Sequence, residues 1–246
     1  MAGELYPVAG CRFYIGGPIS VGKIDLVAAD FSTQSWTEVD GYSDMGAIGD
    51  NSALITTPLI NRGRDYKQKG TANAPTRSDK FAVVAGDPGQ ALLIAAALPS
   101  NRNNTAIRIV LNDAAAVRVN PVTISIASPG VFTWTGHGLS VGDGISFATT
   151  GALPTGIVAA TTYYVKTTPD ANTFTIAATS GGTAIVTTGT QSGVHTASTV
   201  PFPAERLMAG LVMSALEEGG GANTMRMLSS SIEVNSNTVK IVRIGS

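Results

Sequence analysis

One long stretch of the chain is almost free of charge, and it constrains the fold more than any other feature. The 83 residues from 117 to 199 contain four charged side chains, whereas the whole chain of 246 residues contains 16 basic and 17 acidic ones. The same stretch contains 19 threonines and 7 serines. Such a change of composition is typical of a separate module. We therefore expect residues 1–116 and 200–246 to form one discontinuous domain, interrupted by an inserted domain at 117–199.

The inserted segment has the pattern of a small all-β domain. Short runs rich in Thr, Val, Ile, Tyr and Phe follow one another, and pairs such as Pro-Asp and Gly-Gly separate them as turns. The predicted strands are VTISIAS, GVFTWTG, DGISFAT, TTYYVKTT, NTFTIAAT and TAIVTTG. Six or so short antiparallel strands are typical of a small barrel or sandwich.

The flanking segments predict a second β domain that carries one α-helix. Asp87 is suited to the N-cap, Pro88 to the first helical position and Gln90 to a capping box, and Pro99 ends the pattern, so we predict a helix at about 88–97. The predicted strands are RFYIGG, KIDLVAADF, SWTEVDGY, ALITTPLI, KFAVVAG, AIRIVL, IEVNS and TVKIVRI. The run ERLMAGLVMSALEE fits both a helical period and a strand face, and its central glycine and final glutamates favour a strand. The predicted fold class is mainly β.

Catalytic and cofactor-binding motifs are missing from the sequence. Cys11 is the single cysteine, which excludes an internal disulfide and a cysteine-based zinc site. His137 and His195 are the two histidines, too few for zinc, and we expect His137 to support the glycine-rich turn FTWTGHGLSVGDGISF. The run YIGGPISVGK approaches the spacing of a phosphate-binding loop, but Ile24 stands where a hydroxyl is needed and a strand is predicted to follow. We therefore expect no enzyme activity, no metal and no cofactor.

The overall charge and hydropathy exclude two further classes of protein. The net charge of −1 argues against a protein that binds nucleic acid through overall charge. The longest apolar run, residues 91–98, is too short to cross a bilayer, so no membrane insertion is expected. The first ten residues lack the basic and apolar regions of a signal peptide. We expect a soluble protein made in a reducing cytoplasm.

Two clusters of opposite charge lie close together in the first third of the chain. The acidic cluster has no base among its members, which are Glu38, Asp40, Asp44 and Asp50. The basic cluster contains only two acids beside its members, which are Arg62, Arg64, Lys67, Lys69, Arg77 and Lys80. Two interpretations stay open. The clusters are solvated loops, or they are complementary surfaces that meet between copies in a head-to-tail contact, which generates rings or filaments.

Several sequence blocks resemble a known family. The blocks WTEVDGYSDMGAIGDNSALITTPLINRGRDYKQKGTANAPT, KFAVVAGDPGQALLIAAA and LVMSALEEGGGANTMRMLSSSIEVNSN resemble the tail tube (major tail) proteins of long-tailed bacteriophages. The inserted GHGLSVGD, LPTG and TYYV resemble a small β-domain that recurs in phage tail and virion proteins. The first resemblance implies a tail-tube β-sandwich with one flanking helix, and a strand at 207–214. It also implies that a loop from about Gly41 to Pro75 docks one ring of subunits on the next.

The resemblance further implies a function and its partners. Six subunits form a ring, and rings stack into the tube of a non-contractile virion tail, assembled in the host cytoplasm, that conducts DNA without sequence-specific binding. Further partners are the tape measure, tail terminator and baseplate proteins, and the inserted domain faces outward because the lumen has no room for it. The implied inter-ring or lumen contacts are Glu38, Asp40, Asp44, Asp50, Arg62, Arg64, Lys67 and Lys69.

An alternative function uses the inserted domain itself. A virion decoration or adhesion protein would bind host-surface glycans through that domain, and aromatic side chains are the usual platform for a sugar. The available rings are those of Trp134, Tyr163 and Tyr164, and we expect them to be used for core packing instead.

Overall fold

The computed structural model describes residues 5–242. They divide into two compact units. The sheet unit contains the described residues up to Asn112 together with Glu205–Ile241, and the barrel unit is Asp113–Ala204. The change of composition predicts bounds at 117 and 199, and the barrel unit extends a few residues beyond each of them.

Sixteen strands and one α-helix account for the regular structure of these residues, apart from a short 3-10 turn. The first eight strands are β1 (Arg12–Pro18), β2 (Thr37–Glu38), β3 (Tyr42–Asp44), β4 (Asn51–Thr57), β5 (Tyr66–Asn73), β6 (Arg77–Ala82), β7 (Thr105–Val110) and β8 (Val119–Ile124). The others are β9 (Phe132–Thr133), β10 (Gly144–Thr149), β11 (Tyr163–Thr167), β12 (Thr173–Ala177), β13 (His195–Val200), β14 (Glu205–Glu218), β15 (Met227–Val234) and β16 (Val239–Ile241). The helix, α1, is Pro88–Ala96. The mainly β fold class is thereby confirmed, and so is the helix predicted near 88–97.

An eight-stranded antiparallel sheet forms the centre of the sheet unit. Its strand order is β2-β1-β7-β14-β15-β6-β3, and β16 pairs with the first residues of β14. The long strand β14 is central because its first half pairs with β7 and its second half with β15. The strand predicted at 207–214 is confirmed, and its pattern looked ambiguous because both faces of β14 are apolar.

Apolar side chains cover both faces of this sheet. On one face, Phe13, Phe81 and Ile107 pack with Leu93 of α1. On the other face, a smaller cluster surrounds Phe31. Burial on both faces explains why β7 and the first half of β14 read as nearly continuous apolar runs.

Local capping and one close approach fix the start of α1. The Asp87 side chain accepts a hydrogen bond from Gln90 N at 2.7 Å, as the cap predicts. The Gln90 side chain does not complete a capping box, because its Nε2 donates to the carbonyls of Asp40 and Ala82 at 2.9 and 2.8 Å. A Cβ on Gly89 would lie 2.0 Å from a carbonyl oxygen of β2. Only glycine therefore lets the helix sit this close to the sheet.

The prediction of a strand at 23–31 is wrong. Side chains form hydrogen bonds with the backbone groups of this segment that a neighbouring strand would otherwise bond. This segment is a loop that ends in a 3-10 turn, Ala28–Phe31. Asp30 accepts from Val27 N at 2.9 Å. Asn237, more than two hundred residues away in sequence, accepts from Leu26 N at 2.7 Å and donates to Leu26 O at 3.0 Å.

The barrel unit is a closed antiparallel barrel of six strands in the order β10-β11-β12-β9-β8-β13. Its interior is filled by large apolar side chains, among them Phe132, Phe147 and Phe174, each at most 2% exposed. A closed barrel has no free strand edges, and its alternating residues point inward and outward. Five of the six strands lie where the sequence predicts them.

The sixth predicted strand, TAIVTTG at 183–189, is wrong. That segment makes only isolated bridges, and β13 closes the barrel instead. The Thr187 hydroxyl donates to the carbonyl of Ser125 at 2.6 Å, and Ile185 N donates to Ile176 O at 2.8 Å. Single hydrogen bonds of this kind satisfy the backbone of a loop packed on the barrel. β13, with its small side chains, instead forms a continuous ladder with β10 on one side and with β8 on the other.

Candidate assembly interface

A two-stranded arm is the most exposed regular structure in the described residues. Strands β4 and β5 pair only with each other and form the hairpin arm, residues 51–73. All residues of β4 are exposed. Two large apolar side chains of the arm also reach solvent: Leu54 is 67% exposed and Ile60 is fully exposed. An isolated two-stranded hairpin is at best marginally stable in water. The hairpin arm is therefore suited to being covered by a partner.

The basic residues of the hairpin arm lie on one face and at the tip. Lys69 pairs with Leu54 and Lys67 pairs with Thr56 across the two strands. Residues two apart in a strand point to the same side, so the two lysines share one face. The tip between β4 and β5 carries Arg62 and Arg64, both exposed.

The acidic residues are divided between two places. Asp50 precedes β4 and lines a shallow groove with Lys67 and Lys69, so the structure brings these three predicted residues together. Asp44 is exposed in β3, at the edge of the sheet. Glu38 lies in β2, at the opposite edge of the same sheet.

The two acids nearest β2 have partners within the sheet unit. The Glu38 carboxylate lies 3.8 Å from the Arg12 guanidinium and accepts from the Tyr14 hydroxyl at 3.1 Å. Hydrogen bonding with Tyr14 and the charge of Glu38 raise the pKa of Arg12. The Asp40 side chain accepts from Gly41 N at 2.6 Å.

Most of the predicted contact residues form no ion pair within the described part of the chain. Among residues 5–242, Glu38 is the one member of the predicted set that takes part in an ion pair. Exposed ion pairs within one chain contribute little, about 0–1 kcal/mol each. Charges that have no internal partner keep their full attraction for a second molecule of complementary charge.

One member of the basic cluster, Arg77, does not lie on the surface. Arg77 is 1% exposed and Asp79 is fully buried, so neither faces solvent or a partner. The guanidinium binds the carboxylate in a fork, with Nε to Oδ2 at 2.6 Å and Nη2 to Oδ1 at 2.7 Å. Lys80, in contrast, is half-exposed and pairs with Glu218 at 3.0 Å. The period of two in β6 places Arg77, Asp79 and Phe81 on one inward face, and this signal would have found the pair.

Tyr42 completes this buried cluster. Its hydroxyl accepts from Arg77 Nη2 at 2.8 Å and donates to Asp79 Oδ1 at 2.7 Å. Burial and the nearby Asp79 charge raise the pKa of Tyr42 far above its ordinary value. The phenol therefore keeps its proton, which it needs in order to donate to the carboxylate.

His137 serves its own turn in the barrel unit, as the sequence predicts. Its Nδ1 accepts from Leu139 N at 2.8 Å, so the ring proton sits on Nε2, which faces the carbonyl of Asp170 at 3.1 Å. Asp143 supports the next turn by accepting from Ser140 N at 2.8 Å. Within residues 5–242, no group of three or more His, Cys, Asp or Glu side chains is arranged to hold a metal.

The aromatic side chains of the barrel unit are used for packing. Trp134 is 6% exposed and Tyr163 is 4% exposed. Tyr164 stacks on Phe202 with ring centroids 5.9 Å apart. Core packing of Trp134 and Tyr163 is thereby confirmed, and neither ring offers a flat platform to a sugar.

Comparison with known proteins assigns no family. No family model matches the chain, and no curated protein sequence matches it. Along residues 5–242 there is no helix with the length and hydropathy that crossing a membrane requires.

Proposed function

We propose that this chain is a structural subunit that assembles with copies of itself into stacked hexameric rings, the tail tube of a long-tailed bacteriophage. The observation that carries the proposal is the hairpin arm, whose two strands bury nothing within their own chain and expose both apolar and basic side chains. Its position corresponds to the loop that, by the resemblance, docks one ring on the next. No catalysis and no cofactor belong to this function.

Charge complementarity supports a second copy of the chain as the partner of the hairpin arm. The face with Lys67 and Lys69 is basic, and the tip carries Arg62 and Arg64 beside one exposed acid, Asp65. The acids of the predicted set lie at the base of the arm and at or beside the sheet edges. A basic surface on one copy that meets an acidic surface elsewhere on the next is a heterologous contact. Repeated contacts of this kind generate rings and stacked assemblies.

The acids outside the arm support a second part of the same function. Glu38 lies in the edge strand β2, beside Arg12, and Asp40 lies two residues after Glu38; both acids are exposed. An acidic wall repels the phosphates of a duplex, so the DNA slides along the wall instead of binding to it. In the assembled tube these two residues face the lumen, the barrel unit faces outward, and the ends of the tube meet the tape measure, terminator and baseplate proteins.

The proposal is tested by size-exclusion chromatography and negative-stain electron microscopy of the purified chain. The wild-type protein is expected to form six-fold rings or hollow tubes, and the variant R62E/R64E is expected to form rings that do not stack. The matched control is R102E/K240E, which reverses two exposed cations outside the arm that have no ion-pair partner among the described residues. Since the Debye length falls to about 3 Å at 1 M salt, high salt should also weaken wild-type stacking.

Three results would overturn the proposal. A wild-type chain that stays monomeric at all concentrations has no self-assembly to explain. Stacking of R62E/R64E that equals the wild type at every salt concentration would remove the hairpin arm from the interface. Equal loss of stacking in R62E/R64E and R102E/K240E would show that total charge, rather than the arm, controls association.

A further inference from the structure

The hairpin arm joins the sheet through two stems that no strand ladder connects. On one side, β3 pairs with β6 at Asp44 and Lys80, and on the other, the ladder of the arm begins at Asn51 and Asn73. Between these pairs lie the stems, residues 45–50 and 74–79, which share no backbone pairing. The second stem stays paired with β15 through residues 77–79, and Met45, Ile48 and Ala74 pack against the core, but no β ladder joins the two stems to each other.

The buried cluster of Arg77, Asp79 and Tyr42 lies at this junction and spans it. Beyond the fork between Arg77 and Asp79, the side chains of these two residues bond to the opposite stem and to Tyr42, which precedes that stem. Gly46 N donates to Asp79 Oδ1 at 2.9 Å, and Arg77 Nη1 donates to the carbonyl of Ala47 at 3.3 Å. Four groups thus converge on the Asp79 carboxylate: two from Arg77, the Tyr42 hydroxyl and the Gly46 amide.

A buried ion pair is a poor source of stability but a good source of orientation. The desolvation of two charges offsets most of their attraction, so well-packed apolar residues of similar size are often as stable. What apolar residues do not supply is direction, because their packing tolerates small rotations that a fork of hydrogen bonds forbids. None of the three side chains has a buried polar atom without a partner, so the cluster holds one arrangement.

We infer that the cluster of Arg77, Asp79 and Tyr42 is a positioning device that fixes the direction of the hairpin arm before the arm meets a second copy of the chain. The role in assembly rests on the proposed function, whereas the control of arm direction does not. The sheet unit folds without the cluster, but the arm then leaves the sheet in many directions. The three side chains are positioning residues, because they touch the stems and not the partner.

The direction of the arm is measured as a distance between two spin labels by pulsed electron paramagnetic resonance. The labels are placed by Gly63→Cys at the tip of the arm and Arg102→Cys in an exposed loop of the sheet unit, and Cys11→Ser removes the native thiol. All measurements use the full chain in the R62E background at a concentration at which chromatography shows no assembly. The parent protein is expected to give one narrow distance distribution.

Two variants test the device, and one serves as the control. Arg77→Met with Asp79→Leu removes both charges and leaves apolar side chains, and we expect a distribution at least about twice as broad, with unfolding in urea near that of the parent. Tyr42→Phe removes one hydroxyl from the cluster and should broaden the distribution less. Tyr14→Phe removes a hydroxyl whose bond to Glu38 lies on the exposed surface of the same sheet, and it should change nothing.

The outcomes separate this inference from the proposed function. If the double variant folds and its distance distribution stays narrow, the inference is overturned. If the double variant does not fold, an unchanged distance distribution in Tyr42→Phe overturns the inference instead. A broad distribution with normal stacking in the unlabelled double variant would overturn the role in assembly. A wild-type chain that never assembles defeats the proposed function, while the distances still decide whether the cluster orients the arm.

Discussion

Each unit of the chain contains one of its two tryptophans, which allows a test of whether the units unfold independently. Trp36 lies in the sheet unit and packs beside Phe31, and Trp134 is buried in the barrel unit. The perturbation is Phe174→Ala in the centre of the barrel. The Phe174 ring is 0% exposed and contacts the rings of Phe132 and His137 with centroids 5.5 and 5.4 Å apart.

The expected loss follows from the burial of that ring. Removing a fully buried phenylalanine lowers the free energy of unfolding by about 3–5 kcal/mol, because the transfer energy of the ring is lost and a cavity remains. With an m value of about 2 kcal/mol/M in urea, the midpoint of the barrel unit should fall by about 2 M. The sheet unit should keep its midpoint, since Phe174 belongs to the core of the barrel alone.

The assay is urea unfolding followed by tryptophan fluorescence in two backgrounds. Trp36→Phe leaves Trp134 as the reporter of the barrel, and Trp134→Phe leaves Trp36 as the reporter of the sheet. The matched control is Phe81→Ala, which removes an equally buried ring from the sheet unit and should move the Trp36 transition alone. If Phe174→Ala shifts both transitions equally, the two units unfold as one cooperative core and the idea of an inserted module is wrong.

Two further predictions concern the barrel unit. Replacing residues 117–199 with a short Gly/Ser linker should leave a soluble protein that still forms rings or tubes, seen by electron microscopy, and failure of the product to fold would make the segment part of the sheet core. Hydrogen bonds from the Thr173 hydroxyl and Asn172 N lower the pKa of Asp170 below its ordinary value of 3.8. The stabilisation is therefore present above pH 4 and is lost as the pH falls through the folded-state pKa. The barrel midpoint reported by Trp134 should drop in this acid range, and Asp170→Asn should flatten the drop; an unchanged profile would contradict the assignment.

Features with local causes were predictable from the sequence. The helix at Pro88–Ala96 was found because its cap, Asp87, and its first residue act within one turn. Most barrel strands were found because alternation and turn residues are also local signals. The segment that forms the arm was identified from its exposed cations. β5 was not predicted as a strand, because a strand with both faces in water lacks the alternation of apolar and polar residues.

Features that depend on distant residues were not predictable. The strand expected at 23–31 does not form, because Asn237 satisfies Leu26 from the other end of the chain. β13 was missed because its small residues become buried only through neighbours on both sides. The burial of Arg77 and Asp79 is different, because its signal is local: the two residues alternate with more exposed ones in β6, and their charge led to a surface assignment although the alternation indicates an inward face.

The central position of β14 has a consequence for synthesis on the ribosome. The chain makes β1 to β7 first, then the roughly ninety residues of the barrel unit, and only afterwards the strand that lies between β7 and β15. At 5–20 residues per second, that interval lasts about 5–18 s. The last barrel strand, β13, ends only a few residues before β14 begins, so the barrel is completed just as β14 is made, and β7 keeps one edge unpaired throughout the interval. We therefore expect the nascent sheet to expose an unpaired strand edge of the kind that chaperones protect until β14 emerges, and slow codons within the insertion would prolong this exposure.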